Sequence, residues 1–203
     1  MAVETRGYAK GRATRRQIVE EATALFAEVG YRSASLREIA ARCGISHTGL
    51  LHHFPSKQLL LAAVLERRDE VDREWLELER GEGVEALARL VALVERNAQR
   101  RNIVELFTTL SAEATSSAHP GHRYFVDRYR ETTARFSQAY GEARQAGALL
   151  DGIDPDSAGR QLAALMDGLQ VQWLLDPASD MPRLVREHVE CQLRVPLPKA
   201  RPQ

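Results

Sequence analysis

The sequence predicts an all-α protein of about nine helices, with an N-terminal three-helix head and a longer helical body. Three observations carry that expectation. Apolar residues recur three and four positions apart through almost every segment, as in Ile18, Ala22, Leu25, Phe26 and Val29. Helix starts are marked by side chains that accept a backbone hydrogen bond, and helix ends by Gly or Pro. Period-2 alternation, the mark of half-buried strands, is absent.

Residues 1–11 carry Arg6 and Lys10 among Gly and Ala without periodicity, and read as a flexible basic arm. The head is expected over residues 12–57. Thr14 and Gln17 fit a T-x-x-Q capping box that would start its first helix, and Gly30 would end it. Arg15 and Arg16 fall in the first turn of that helix, where the helix dipole disfavours cations. A phosphate nearby would relieve the conflict.

Ser35 and Glu38 form an S-x-x-E box, so the next helix should begin at Leu36, with Leu36, Ile39 and Ala40 facing inward. Cys43-Gly44-Ile45 breaks it, because Gly44 can take a positive φ at little steric cost. A turn of that length suits a helix-turn-helix. Ser46 then caps a helix of about two turns, whose Leu50 and Phe54 point back at its neighbour. His47, Thr48, Leu51 and His52 are left facing outward. Gly49 costs about 1 kcal/mol against Ala inside so short a helix. Such a cost fits a backbone that must come close to DNA or to the adjacent helix. Pro55 stops this helix and Ser56 caps the next, with Lys57 in its first turn. A backbone amide and an ammonium at one helix start make a phosphate anchor.

The ordered run I-A-x-x-x-G-I-S-x-x-x-L-x-x-H-F-x-S-K, from Ile39 to Lys57, resembles the DNA-binding domain of the TetR (tetracycline-repressor-like) family of bacterial regulators. The likeness covers about residues 12–60 and is far more specific than a generic helix-turn-helix. It implies double-stranded DNA as a partner and Arg15, Ser35, Arg37, Ser46, His47, Thr48, Gly49, Leu51, His52 and Lys57 as its contacts. His47 and Thr48 are expected at base edges, and Leu51 can meet a thymine methyl. The family usually has Tyr at the position of Leu51, and that Tyr meets the DNA backbone. One phosphate contact of the family is therefore not implied here.

Composition agrees with this division. With 203 residues, 44% of them apolar, the chain can hold one ordinary domain or two small ones. Residues 1–58 hold nine Lys/Arg against five Asp/Glu, a balance of +4, and the remainder nineteen against twenty-three, a balance of −4. A basic head on an acidic body suits a DNA reader attached to something else. Cys43 and Cys191 lack the spacing of a disulfide framework or a zinc site, so a reducing cytoplasm is the expected location. The N-terminus has no apolar stretch to serve as a signal peptide, and no run approaches the ~18 apolar residues of a membrane span.

The body is expected over residues 58–195. Leu59, Leu60, Ala63, Val64, Val71, Trp75 and Leu78 mark a long helix to about Glu79, ended by Gly81 and Gly83. Val84 to Val94 mark another, and Ile103 to Ala114 a further one after a kink near Arg101-Asn102. The segment SSAHPGH reads as a loop with two exposed histidines, His119 and His122, and not as a metal pair. A long helix follows from about His122 to Gln145. Asp154-Pro155 opens the next, to Asp176-Pro177, and Asp180 with Pro182 opens the last. From Pro196 the tail, residues 196–203, reads as disordered.

Helical bodies can enclose ligand pockets, and the family resemblance implies one here, for an unknown small molecule. Trp75, Phe107, Leu110, Phe125, Tyr129, Met166 and Gln170 are its candidate lining, with Glu105, Glu113, Asn97 and Arg128 as polar groups. The resemblance also implies a homodimer held by the last two helices, roughly Pro155–Leu175 and Pro182–Arg194. Leu162, Leu169, Trp173, Leu184, His188 and Cys191 are the candidate interface. No catalytic motif, cofactor fingerprint or metal-ligand spacing occurs. The expected function is a ligand-responsive transcriptional regulator, a repressor, and not an enzyme. The same head would serve an architectural or division-linked DNA-binding protein without an effector.

Overall fold

A computed structural model of the chain describes residues 2–77 and 81–198, with side chains described over 11–71 and 81–198. Nine helices are present among the described residues. They are α1 (Ala2–Ser33), α2 (Leu36–Arg42), α3 (His47–His53), α4 (Lys57–Glu77), α5 (Val84–Asn97), α6 (Arg101–Glu113), α7 (His122–Gln145), α8 (Pro155–Leu175) and α9 (Met181–Glu190). The expected all-α class holds.

The chain forms two compact units. Unit 1 holds Met1–Arg73 and Glu105–His122, and unit 2 holds Glu74–Val104 and Arg123–Gln203. Compactness therefore does not divide the chain between Lys57 and Gln58. The first turns of α4 and most of α6 belong with the head, because Leu60, Leu61, Val64 and Leu65 of α4 are buried there, and so are Leu106 and Leu110 of α6. Two helices, α4 and α6, each give residues to both units.

Most expected caps form. Ser35 accepts from the Glu38 N–H at 3.1 Å, Ser46 from Gly49 at 3.0 Å, and Ser56 from Leu59 at 3.2 Å. Asp154 and Asp180 accept from Ser157 and Arg183 at 2.8 and 3.1 Å. Each cap satisfies a backbone donor that its helix cannot, worth about 1 kcal/mol. The box at Ser35 is half formed, since the Glu38 carboxylate turns to Arg42 at 3.2 Å. The box at Thr14 does not form: α1 begins at Ala2, so residues 2–11 have helical backbone and are not an arm without regular structure. Gln17 instead sends its amide to the Cys43 carbonyl at 3.4 Å, across the head to the end of α2.

In unit 1, α1 packs on α2 and α2 on α3. Ile18, Ala22, Leu25, Phe26, Ile39, Ala40, Leu50 and Phe54 bury fully or nearly so. In unit 2, α9 packs on α5 and α8. Its core joins Leu87, Val91, Phe136, Tyr140, Leu162, Trp173, Val185 and Val189. Past α9 the chain turns back on the loop after α7: Arg194 N–H donates to the Ala148 carbonyl at 2.8 Å, and Leu149 pairs with Leu193. Leu193 and Leu197 enter the core behind this pairing. Leu197 is thus buried in a stretch expected to be disordered, while Pro196 and Pro198 on either side stay exposed. The rest of that tail, residues 199–203, lies outside the described residues.

Candidate nucleic-acid interface

The recognition element is α3, and two buried residues set its rotation. Leu50 is fully buried and Phe54 is 1% exposed. At helical spacing that leaves Thr48 and His52 exposed and His47, Gly49 and Leu51 partly exposed, as the sequence implies. Gly44 makes the turn before α3 at φ 66°. A Cβ on Gly49 would lie 3.2 Å from the Ser46 Oγ, so the glycine leaves room for the cap that starts the helix. Ser35 and Arg37, at the start of α2, are exposed.

Two cations lie at the edges of α3 and are held by protein atoms. Arg15 donates to the His53 carbonyl at 3.0 Å and stacks on the Phe54 ring at 4.1 Å. It braces the C-terminal end of α3, where a positive charge is favoured by the helix dipole. That contact answers the conflict of an arginine in a presumed first turn, since the turn is mid-helix. Lys57 donates to the Arg32 carbonyl at 3.2 Å, with its ammonium 4.5 Å above the Tyr31 ring. Burial pushes the proton affinity of Lys57 down, and the Glu113 charge opposes that shift. On the outer side, Arg42 takes Glu28 with two hydrogen bonds of 2.8 and 2.7 Å and ties α2 to α1. Neither Glu28 nor Arg42 stands out in the sequence, because they are neighbours only once the helices cross. Cys43 is buried, which raises its thiol's pKa, and Glu21 adds to the rise.

His119 and Glu113 correct two expectations. His119 is 4% exposed, not a solvent-facing loop residue. Its Nδ1 accepts from the Gly121 N–H at 3.1 Å, so the neutral ring carries its proton on Nε2, 3.6 Å from the Glu113 Oε2. His122 lies partly exposed, with Nδ1 2.8 Å from the Ala114 carbonyl oxygen. Glu113, expected among the polar groups of a pocket, instead accepts from the Tyr31 N–H at 2.8 Å. No metal-holding group of His, Cys, Asp and Glu occurs among the described residues.

The helix-turn-helix geometry agrees with comparison to known proteins. Residues 18–64 match the profile of bacterial regulatory proteins of the tetR family, and residues 84–194 match the C-terminal profile of BetI-type transcriptional repressors. The second match alone spans more than half of the chain. The chain belongs to the TetR family of transcriptional regulators. It is 28% identical over 120 residues to the transcriptional repressor KstR2 of Rhodococcus jostii, covering 59% of this chain and 52% of that protein. The chain thus spans about half the length of that relative. It is 24% identical over 187 residues to the regulator PksA of Bacillus subtilis, covering 87% and 88%. Among solved structures, a Saccharomonospora viridis protein, described as a transcriptional regulator and solved in complex with choline, is 27% identical with a TM-score of 0.76, covering 90% and 98%. These TetR-type relatives are named as regulators and not as enzymes.

The body residues of this TetR-type chain are placed as follows. Phe107 and Leu110 are buried in unit 1, with the Arg68 guanidinium 4.0 Å over the Phe107 ring. Phe125, Tyr129, Met166 and Gln170 belong to unit 2. The side chain of Trp75 lies outside the described residues. Tyr129 donates its hydroxyl to Asp167 at 2.7 Å, both part-buried, and no local pattern singles out that aspartate. Asn97 is buried in unit 2. Of the candidate interface, Leu162, Leu169 and Trp173 are at most 8% exposed and sit in the chain's own core. They are correctly apolar but turned inward, because α8 must first cover α7 and α9. Leu184 and His188 are partly exposed and Cys191 is exposed. No described helix is long and apolar enough to cross a membrane.

The burial of His119 has a consequence for pH dependence. Its folded pKa lies below 6.5, chiefly through burial, with the Glu113 charge opposing and the Arg32 charge adding to the fall. The unfolded chain then binds more protons between the lowered value and 6.5. Stability of unit 1 is full above that window and is lost as the pH falls through it. Denaturant unfolding from about pH 7.5 to about pH 5 should show this loss, and His119→Gln should flatten it. His188, also lowered by burial, adds the same sign in unit 2 and stays in both proteins compared. An unchanged pH profile in His119→Gln would assign the loss elsewhere.

Proposed function

We propose that this TetR-type regulator is a homodimeric repressor that leaves a palindromic operator when a small molecule binds its body. The observation that carries the DNA half is the face of α3. Thr48 and His52 project from a helix fixed on its other side by Leu50 and Phe54, and His47 keeps partial exposure in its first turn. We assign His47, Thr48, Leu51 and His52 to base edges. Ser35, Arg37, Ser46, Gly49 and Lys57 are assigned to phosphates, with Arg15 bracing the end of α3. The regulator acts in the cytoplasm, where its operator lies.

One seven-residue helix covers too little DNA to hold it alone, so two copies are needed to read two half-sites. The dimer seam is best placed on the outward stripe of α8. Gln161, Ala164, Gly168, Val171 and Leu175 recur at helical spacing and are all exposed, Leu175 by 82%. Small residues let a second helix approach, and Leu184, His188 and Cys191 of α9 keep enough exposure to join. The effector site is placed in unit 2 around the Tyr129–Asp167 pair, with Phe125, Met166 and Gln170 nearby in sequence. The choline-bound relative supports a small-molecule site in this fold. A part-buried carboxylate suits a ligand that brings a cation or a donor. Ligand binding then shifts the population towards a state whose two heads no longer match the half-sites.

Reading and anchoring separate by salt titration on a selected operator duplex and a scrambled one. Lys57→Ala should weaken both alike and lower the salt slope by about one per protomer. His47→Ala or Thr48→Ala should cost about 1–3 kcal/mol per half-site on the operator alone, with the slope nearly unchanged near pH 8. Reversed behaviour of the two classes would refute the assignment of roles.

The effector half has its own check. A ligand found by thermal-shift screening, with choline in the panel, should weaken DNA binding by the factor by which DNA weakens ligand binding. Asp167→Asn should weaken the ligand and leave DNA affinity in its absence unchanged. Equal ligand affinity with and without DNA would exclude that ligand as the effector.

A further inference from the structure

The regular part of α1 ends at Gly30, whose φ of 76° and ψ of 169° turn the chain sharply before Tyr31. The N–H groups of Tyr31 and Arg32 are thereby presented together, and Glu113 occupies them. Its carboxylate accepts from Tyr31 at 2.8 Å and from Arg32 at 3.5 Å. A Cβ on Gly30 would lie 2.7 Å from the Glu113 Oε1. The glycine is therefore needed twice, for its positive φ and for the space the carboxylate fills.

The other side of the same turn carries Lys57. Its ammonium donates to the Arg32 carbonyl at 3.2 Å and lies 4.5 Å above the Tyr31 ring. That ring meets His119 edge-on, with centroids 5.0 Å apart at 79°. His119 in turn brings its Nε2 to 3.6 Å from Glu113. Tyr31 and Arg32 are thus held through their N–H groups by Glu113, and they hold Lys57 through a carbonyl and a ring. All these residues belong to unit 1, yet Glu113 and His119 follow Tyr31 by more than eighty positions.

We propose that Glu113 is a positioning residue for DNA binding, because it seats the Tyr31–Arg32 turn on which Lys57 rests and so fixes where the Lys57 ammonium meets a phosphate. The inference rests on the DNA-binding reading given above. It makes a prediction opposite in sign to simple electrostatics. Glu113 is an anion near a cation destined for phosphate, so deleting its charge would by field effects alone strengthen DNA binding. If the carboxylate positions Lys57, deleting it weakens binding and removes the phosphate contact from the salt dependence.

The test uses the full chain and a fluorescein-labelled duplex of arbitrary sequence, about three helical turns long, titrated by anisotropy across a range of salt. Glu113→Ala should bind more weakly and lose about one unit of salt slope per protomer, as Lys57→Ala does. Glu113→Asp keeps the charge but withdraws the oxygens by one methylene, and should behave like Glu113→Ala. Glu113→Gln keeps an acceptor for the Tyr31 N–H and should retain most of the slope. In the Glu113→Ala/Lys57→Ala double variant, the second substitution should cost almost nothing further. Circular-dichroism melting run in parallel separates a folding fault, which lowers the active fraction and leaves the slope unchanged. An unchanged or higher affinity with unchanged slope in Glu113→Ala and Glu113→Asp would overturn the proposal, as would additive costs in the double variant. Should Glu113→Ala not fold, Glu113→Asp and Glu113→Gln decide the matter by the same slopes. If Lys57→Ala itself left the slope unaltered, the anchor reading would fall and this inference with it. A Lys57 effect without a Glu113 effect would overturn the positioning role alone.

Discussion

The constraint on which the interface depends is the burial of Leu50 and Phe54. A helix of seven residues is too short to persist in water, since its nucleation cost is repaid by only a few hydrogen bonds. Burying two large apolar side chains supplies roughly 1.5–3 kcal/mol each, which exceeds what its N-cap contributes by a clear margin. The same burial sets the rotation of α3. Once those two side chains face the core, helical geometry turns Thr48 and His52 away from it, while His47, three positions before Leu50, keeps partial exposure at the start of the helix. Gly44 and Ser46 place the helix, Arg15 closes its far end, and Glu28 with Arg42 keeps α2 against α1. The outward face follows from the inward one.

The head is not assembled from contiguous sequence alone. Leu60, Val64, Leu106 and Leu110 complete its packing from α4 and α6, and each of these helices also gives residues to unit 2. In unit 2 the apolar residues of α8 are divided by function: Leu162, Leu169 and Trp173 fill the core, while Ala164, Gly168, Val171 and Leu175 remain outside.

What was legible in the sequence is what local chemistry dictates. Caps at Ser35, Ser46, Ser56, Asp154 and Asp180, stops at Gly30 and Gly44, and the inward pair Leu50 and Phe54 all stand where the residues imply. Errors arose where a distant partner overrode a local pattern. Thr14 and Gln17 look like a helix start, but helix continues through them and Gln17 bonds to Cys43. His119 sits in a stretch rich in Ser, Pro and Gly, yet Tyr31 and Glu113 bury it. Leu197 looks like part of a loose tail until Leu193 pairs with Leu149 and carries it into the core. Trp173 and Leu162 are apolar at helical spacing and lie in the chain's own core, because periodicity gives a face without saying what covers it. Glu113 carries no local signal for its contact with the head, since the Tyr31 and Arg32 N–H groups it holds lie more than eighty residues away.

The central claim, that two copies of α3 read two half-sites of one duplex, is tested most directly by hydroxyl-radical footprinting. The duplex is one recovered by selection from random sequence. Two protected stretches should appear with centres about 34–36 Å apart, or a multiple of that, related by a two-fold axis. Methylation interference should fall in the major groove within each stretch. A single protected stretch, or protection spread evenly along the duplex, would contradict the account.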